Sequence, residues 1–207
     1  TSQEQQEQYA HSLYAGAVDA SDNQKFAVTP PGVNQRIFAI DATQLDNDVS
    51  AALDARFGAD RGPCTVVSSR LDEKKNIIGV VKAYAGNADL RRRAALVLCV
   101  RGIDDPETDI VKLGSAEKKV LREILDVINQ AAMGDRVHFL NIGSQLELAA
   151  TYRYFARRSS VFALTSFYEP FGLAPIEAAA TGLAPVVTQN GGPGYTSDRS
   201  SFFCILV

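Results

Sequence analysis

The sequence predicts an α/β fold, a Rossmann-like doubly wound parallel sheet, on three observations. Short apolar runs alternate with longer stretches of helical periodicity, the pattern of a parallel sheet covered by helices. Six such runs are present, enough for one sheet. With 207 residues, 46% of them hydrophobic and 22% charged, the chain can bury a sizeable core and is not a disordered polymer.

The strands are expected at Thr65 to Ser68, Ala95 to Val100, Val137 to Leu140, Val161 to Leu164, Ala184 to Thr188 and Phe202 to Val207. Between them, Ser115 to Met133 places Val120, Leu121, Ile124, Leu125 and Ile128 on one helical face. Arg91, Arg92 and Arg93 fall at a helix end, where cations complement the dipole. The phrase Ser144-Gln145-Leu146-Glu147 fits a capping box, hydroxyl and carboxylate each taking an unpaired backbone N–H. A last helix runs from Pro175, suited to a first turn, to Ala180, with Gly182 as its C-terminal cap. Residues 1–60 read differently: a Gln/Glu-rich opening, the run Phe26-Ala27-Val28, then Pro30-Pro31-Gly32 and a polar Asp/Asn-rich stretch, together a domain edge and connector.

Composition excludes several classes. Twenty-one basic against 24 acidic residues leave a net charge of −3, too balanced for a general polyanion-binding surface, so nucleic acid is not an expected partner. No apolar run approaches the ~20 residues of a membrane span, and the opening Thr1-Ser2-Gln3-Glu4-Gln5 has no export pattern. A soluble, cytoplasmic protein is expected. Cys64, Cys99 and Cys204 stand apart in apolar surroundings and read as buried thiols. His138 falls within a strand and reads as a packed residue, whereas His11 reads as a surface one. The chain starts without Met and stops in an apolar run, so a piece of a longer protein is expected.

Ligands of an open parallel sheet sit beyond the carboxyl ends of its strands. Two loops there carry chemistry. Ser69-Arg70-Leu71-Asp72-Glu73-Lys74-Lys75-Asn76 follows the first strand; a guanidinium and an ammonium in one loop suit a diphosphate. After the fourth strand comes Glu169-Pro170-Phe171-Gly172-Leu173-Ala174-Pro175-Ile176-Glu177. Its backbone N–H groups around Gly172 and Leu173 form a partial positive end able to hold a phosphate, and glycine lets a ligand approach the main chain. The two carboxylates would accept hydrogen bonds from sugar hydroxyls on either side. Glu177 taken alone reads equally well as an acid favouring its helix dipole.

These residues carry a resemblance. Glu169 to Glu177 resembles the glutamate-x7-glutamate motif of the retaining glycosyltransferases that include the glycogen, sucrose and sucrose-phosphate synthases, and Ser69 to Asn76 resembles their phosphate loop. Thr1 to Glu4, Pro30 to Asn34, Arg101-Gly102-Ile103, Ser160 to Tyr168 and Asn190 to Pro193 are similar too, most of all to the sucrose-phosphate synthases. The resemblance implies the C-terminal half of a two-domain glycosyltransferase B fold. It divides the chain into the tail of an N-terminal acceptor domain (1–37), a linker (38–61) and a C-terminally truncated nucleotide-sugar-binding domain (62–207).

It further implies transfer of glucose from UDP-glucose to fructose 6-phosphate, giving sucrose 6-phosphate with retention, and no cofactor or metal in the chemistry. Arg70 and Lys75 would hold the diphosphate and neutralise the departing UDP. Glu169 would bind the transferred glucose, the N–H groups of Phe171, Gly172 and Leu173 would position sugar and phosphate, and Glu177 would take the ribose hydroxyls. Backbone around Ile142 and Gln145 would read the base, although the family's asparagine near Gln145 is not reproduced. Gln5 stands where relatives carry an arginine for the acceptor phosphate, and Gly194 to Asp198 departs from the family pattern. Without the acceptor domain the isolated chain is expected to bind donor weakly and not to turn over. A sucrose synthase-type transferase and a non-catalytic nucleotide-binding module are the alternatives. No GxGxxG follows the first strand and no GxxxxGK[ST] occurs, which argues against a dehydrogenase or a Walker-type phosphotransferase.

Overall fold

The computed structural model describes residues 7–14, 16–17, 19, 21–22, 32–57, 62–188, 191–192 and 204–206, the last three as backbone. The chain divides into two compact units, Thr1–Gly32 and Val33–Val207. In the first, helical backbone at 7–9 and a 3-10 turn at Ser12–Tyr14 bring the rings of Tyr9 and Tyr14 edge to face at 5.1 Å. His11 is exposed there.

The second unit is built on six parallel strands: β1 (Cys64–Ser68), β2 (Ala95–Cys99), β3 (Val137–Leu140), β4 (Val161–Leu164), β5 (Ala184–Thr188) and β6 (Cys204–Leu206), in the order β3-β2-β1-β4-β5-β6. Each expected strand is present within two residues of its expected bounds; Phe202, Phe203 and Val207 lie outside the described residues, as do Gln5 and Gly194 to Asp198. Helices are α1 (Gln44–Phe57), α2 (Ile77–Gly86), α3 (Ala88–Arg93), α4 (Pro106–Asp109), α5 (Ser115–Gln130), α6 (Gln145–Ala156) and α7 (Leu173–Ala180).

Successive strand residues point to opposite faces, and both faces are covered. Val66, Val97, Leu140, Phe162 and Leu164 join one core layer with Phe57 of α1 and Tyr152 and Phe155 of α6. Val67, Leu96, Leu98, Phe139 and Ala163 join the other with Val81 and Tyr84 of α2 and Val120, Leu121, Ile124 and Ile128 of α5. Tyr84 is buried in this second layer, where its hydroxyl donates to the Ala94 carbonyl at 2.8 Å. Cys64 and Cys99 are buried free thiols, and burial pushes Cys99 up to about 12. His138 packs edge to face on Phe57 at 4.6 Å.

Part of the stretch read as a linker is core structure. Phe38, Leu53 and Phe57 are buried, and Arg153 of α6 ties the segment down. Its guanidinium donates to both oxygens of Asp46, at 2.7 and 2.8 Å, and to the carbonyls of Ile37 and Ala39. Both partners are 3% exposed, a buried bidentate pair. Residues 58–61 of that linker lie outside the described residues. No helix among the described residues is long and apolar enough to cross a membrane.

Candidate functional site

The strand order reverses between β1 and β4, so the loops leaving these two strands flank the crevice where open α/β sheets bind ligands. The loop after β1 is held by local hydrogen bonds. Asp72 accepts from the Lys74 N–H at 2.9 Å and caps the 3-10 turn Glu73–Lys75, which ends at Asn76 in the left-handed region, φ 50°. That turn aims Lys75 across the crevice.

From the other side, the loop after β4 delivers Glu169. Lys75 Nζ and Glu169 Oε2 stand 2.6 Å apart, their side chains 24% and 12% exposed. Ser166, buried at 1% exposure, donates to the same carboxylate oxygen at 3.2 Å. The two loops therefore converge. An isolated bridge also holds Glu169: it pairs with Gly191, and the Gly192 N–H donates to the Glu169 carbonyl at 2.7 Å. A Cβ on Gly191 would stand 2.1 Å from that carbonyl oxygen, so only glycine fits.

Gly172 is the N-cap of α7 with φ 84°, and no side chain caps the first turn. The helix starts at Leu173, two residues before the expected Pro175, because the left-handed glycine already turns the chain into it; Pro175 takes the third position, where its missing N–H costs no helical bond. Glu177 consequently lies in the second turn. It is half-buried, and burial raises its carboxyl above the ordinary range. Burial also raises the Tyr152 phenol, with a partial offset from Ser68 and smaller upward contributions from Cys99 and Glu177.

Arg70, exposed, lines a cavity of about 490 Å³ with Ser68, Arg101, Ile142, Gln145 and Leu148. Three expected site residues, Arg70, Ile142 and Gln145, meet there, whereas Lys75 and Glu169 pair elsewhere in the crevice. Ile142 and Ser144 also line a second groove of about 400 Å³ against α1. The helix cap beside them differs from the expected box in one bond. Ser144 accepts from Glu147 N at 3.1 Å, but the Glu147 carboxylate takes the N–H of Gly143, not of Ser144.

Other charged groups take structural places. Arg92 and Arg93 pair with Asp89 on their own helix, and Arg91 donates to the Ala85 carbonyl. Asp104 pairs with Arg56 and Asp105 caps α4. The chain holds one Asp-x-Asp spacing, Asp46-Asn47-Asp48, but the Asp46 carboxylate is occupied by Arg153 and by the N–H and hydroxyl of Thr43. Among the described residues no three His, Cys, Asp or Glu side chains group closely enough to hold a metal ion. Sequence reasoning passed over Asn76, Ser166 and the backbone contacts of Gly191 and Gly192; of these, the glycine pair gave a local signal.

Comparison with known proteins places the chain in a family. The family model described as "Glycosyl transferases group 1" matches residues 53–198. A probable sucrose-phosphate synthase of Thermosipho melanesiensis is 36% identical over 202 residues, 98% of this chain and 41% of the relative. The sucrose-phosphate synthase of Spinacia oleracea is 31% identical over 183 residues, 82% of this chain and 17% of the relative. Among solved structures, a sucrose-phosphate synthase from Thermosynechococcus elongatus aligns with TM-score 0.63 and 25% identity, covering 86% of this chain and 38% of that one. Anabaena HepE in complex with UDP-glucose aligns with TM-score 0.62 and 18% identity, covering 85% and 42%, a likeness of fold. The chain thus spans about two fifths or less of the curated relatives it matches.

Proposed function

The chain belongs to the group 1 glycosyl transferases, and from that premise we propose that its second unit binds UDP-glucose as the donor half of a retaining glucosyltransferase. The observation that carries the reading is the Lys75–Glu169 contact at 2.6 Å, a cation and a carboxylate converging across the switch point of the sheet. A donor of this class needs both: positive charge for the diphosphate and an acceptor of hydrogen bonds for the sugar. A fold whose neighbours include a UDP-glucose complex suits that donor.

In this reading Arg70 and Lys75 hold the diphosphate and stabilise the charge that grows on it as the glycosidic bond breaks. The N–H groups of Phe171, Gly172 and Leu173 add the positive end of α7. Glu169 orients the glucose hydroxyls, Glu177 accepts from the ribose, and backbone at Ile142 to Gln145 lines the base. The chemistry asks for no cofactor. The acceptor in this reading is fructose 6-phosphate, and a chain that spans about two fifths of its relative's length binds donor without turnover.

Calorimetry with UDP, UDP-glucose, ADP-glucose and GDP-mannose tests this directly. UDP-glucose is expected to bind most tightly, and Arg70→Ala or Lys75→Ala each to weaken it by about 1.5–3 kcal/mol, the worth of a hydrogen bond to a charged group. Absence of binding heat with all four, or wild-type affinity in both variants, would overturn the proposal.

A further inference from the structure

Lys75 and Glu169 come from loops 94 residues apart in sequence, yet their charged atoms meet at 2.6 Å. Two long side chains do not hold such a distance unless their backbones are fixed relative to each other. Besides that contact, three hydrogen bonds cross between the loops, and two of them belong to Asn76. Its Nδ2 donates to the Thr165 carbonyl at 3.1 Å, and its carbonyl accepts from the Thr165 hydroxyl at 3.2 Å. The third is Phe167 N–H to the Lys74 carbonyl, 3.0 Å.

We propose that Asn76 is the positioning residue of the donor site: it clasps the phosphate-side loop to the sugar-side loop and so sets Lys75 against Glu169. The inference rests on the donor reading above and extends it to a residue to which that reading gives no contact with phosphate or sugar. Local chemistry suits the task. Asn76 sits at φ 50°, ψ 37°, a conformation asparagine tolerates better than most residues, and this turns its amide back toward β4. Gly79, in the first turn of α2, makes the room: a Cβ there would stand 2.6 Å from Asn76 Oδ1. The clasp therefore has two parts, an amide that bonds and a glycine that admits it.

Two substitutions separate the clasp from general stability. Asn76→Gly keeps the left-handed backbone and deletes the Nδ2 donor. Gly79→Ala leaves Asn76 intact and improves helix propensity, but pushes the amide out of its seat. In both, amide exchange at Phe167 without nucleotide is expected to accelerate, and the advantage of UDP-glucose over UDP in calorimetry to fall by about threefold to tenfold, the range of one net hydrogen bond. A merely structural role would weaken both nucleotides alike and leave that ratio unmoved. Unchanged Phe167 exchange in both variants, or faster exchange with the wild-type ratio kept, would overturn the proposal. Were the wild-type chain to bind neither nucleotide, the donor reading would fall, while faster Phe167 exchange would still sustain the clasp.

Discussion

Two carboxylates of this chain show how burial and partnership push acids in opposite directions. Asp46 receives the Arg153 guanidinium first and the Thr43 donors next, which hold its carboxyl well below the usual range despite burial. A depressed folded pKa contributes stability that is fully present above the unfolded value of about 3.9 and is lost as pH falls through the folded one. Asp46→Asn is therefore expected to cost about 3 kcal/mol at neutral pH, since it strands a buried guanidinium. In urea unfolding that gap should hold down to about pH 4 and narrow below it. A gap independent of pH would show that packing, not charge, holds α1 to α6. Glu177 has the opposite sign: burial raises it, so its charge opposes folding at neutral pH, and the native state gains on the unfolded one as pH falls through the raised pKa. Glu177→Gln should raise the thermal midpoint of the unliganded chain at neutral pH while weakening UDP-glucose binding. At this scale the sequence was legible where chemistry is written in residue type, as with Lys75 and Glu169. It was silent on Asn76 and Ser166, whose roles depend on neighbours about 90 and three positions away.

Among the elements, strands were the most legible because a strand buried on both faces must be apolar throughout, and β3, β4 and β5 coincide with their apolar runs. Boundaries set by backbone conformation were less so. The start of α7 depends on Gly172 entering the left-handed region, which no periodicity reports. Helix α1 has the polar composition of a connector; Leu53 and Phe57 find their cover on α6, a partner nearly a hundred residues on. The same logic applies to the segment after β5. Gly191 and Gly192 back the Glu169 loop so closely that a Cβ on either would stand within 2.3 Å of a carbonyl oxygen. Gly191→Ala is thus expected to displace Glu169 rather than merely strain its own backbone. Its measurable sign is a loss of the glucose contribution to UDP-glucose affinity, with UDP affinity retained through Arg70. Equal loss for both nucleotides would point to a general collapse of the loop.

For the second unit as a whole, two apolar layers share one sheet, and the site sits where β1 and β4, its central neighbours, end. A ligand bridging their loops binds across the middle of a cooperative unit and not at a frayed edge, so its binding free energy should appear in global unfolding. For one site, 100-fold excess of ligand over Kd adds about 2.7 kcal/mol. In a chain of this size each kcal/mol moves the midpoint by about 2–4 °C, so UDP-glucose at that excess should raise it by roughly 5–11 °C. GDP-mannose at the same concentration should raise it little, because base and sugar both differ from those the pocket is proposed to read. Lys75→Ala, which removes the cation facing Glu169, should abolish most of the UDP-glucose shift, read from the variant's own unliganded midpoint because loss of one partner of a largely buried pair lowers that midpoint as well. A shift with UDP-glucose that survives Lys75→Ala would place the nucleotide away from the β1–β4 crevice.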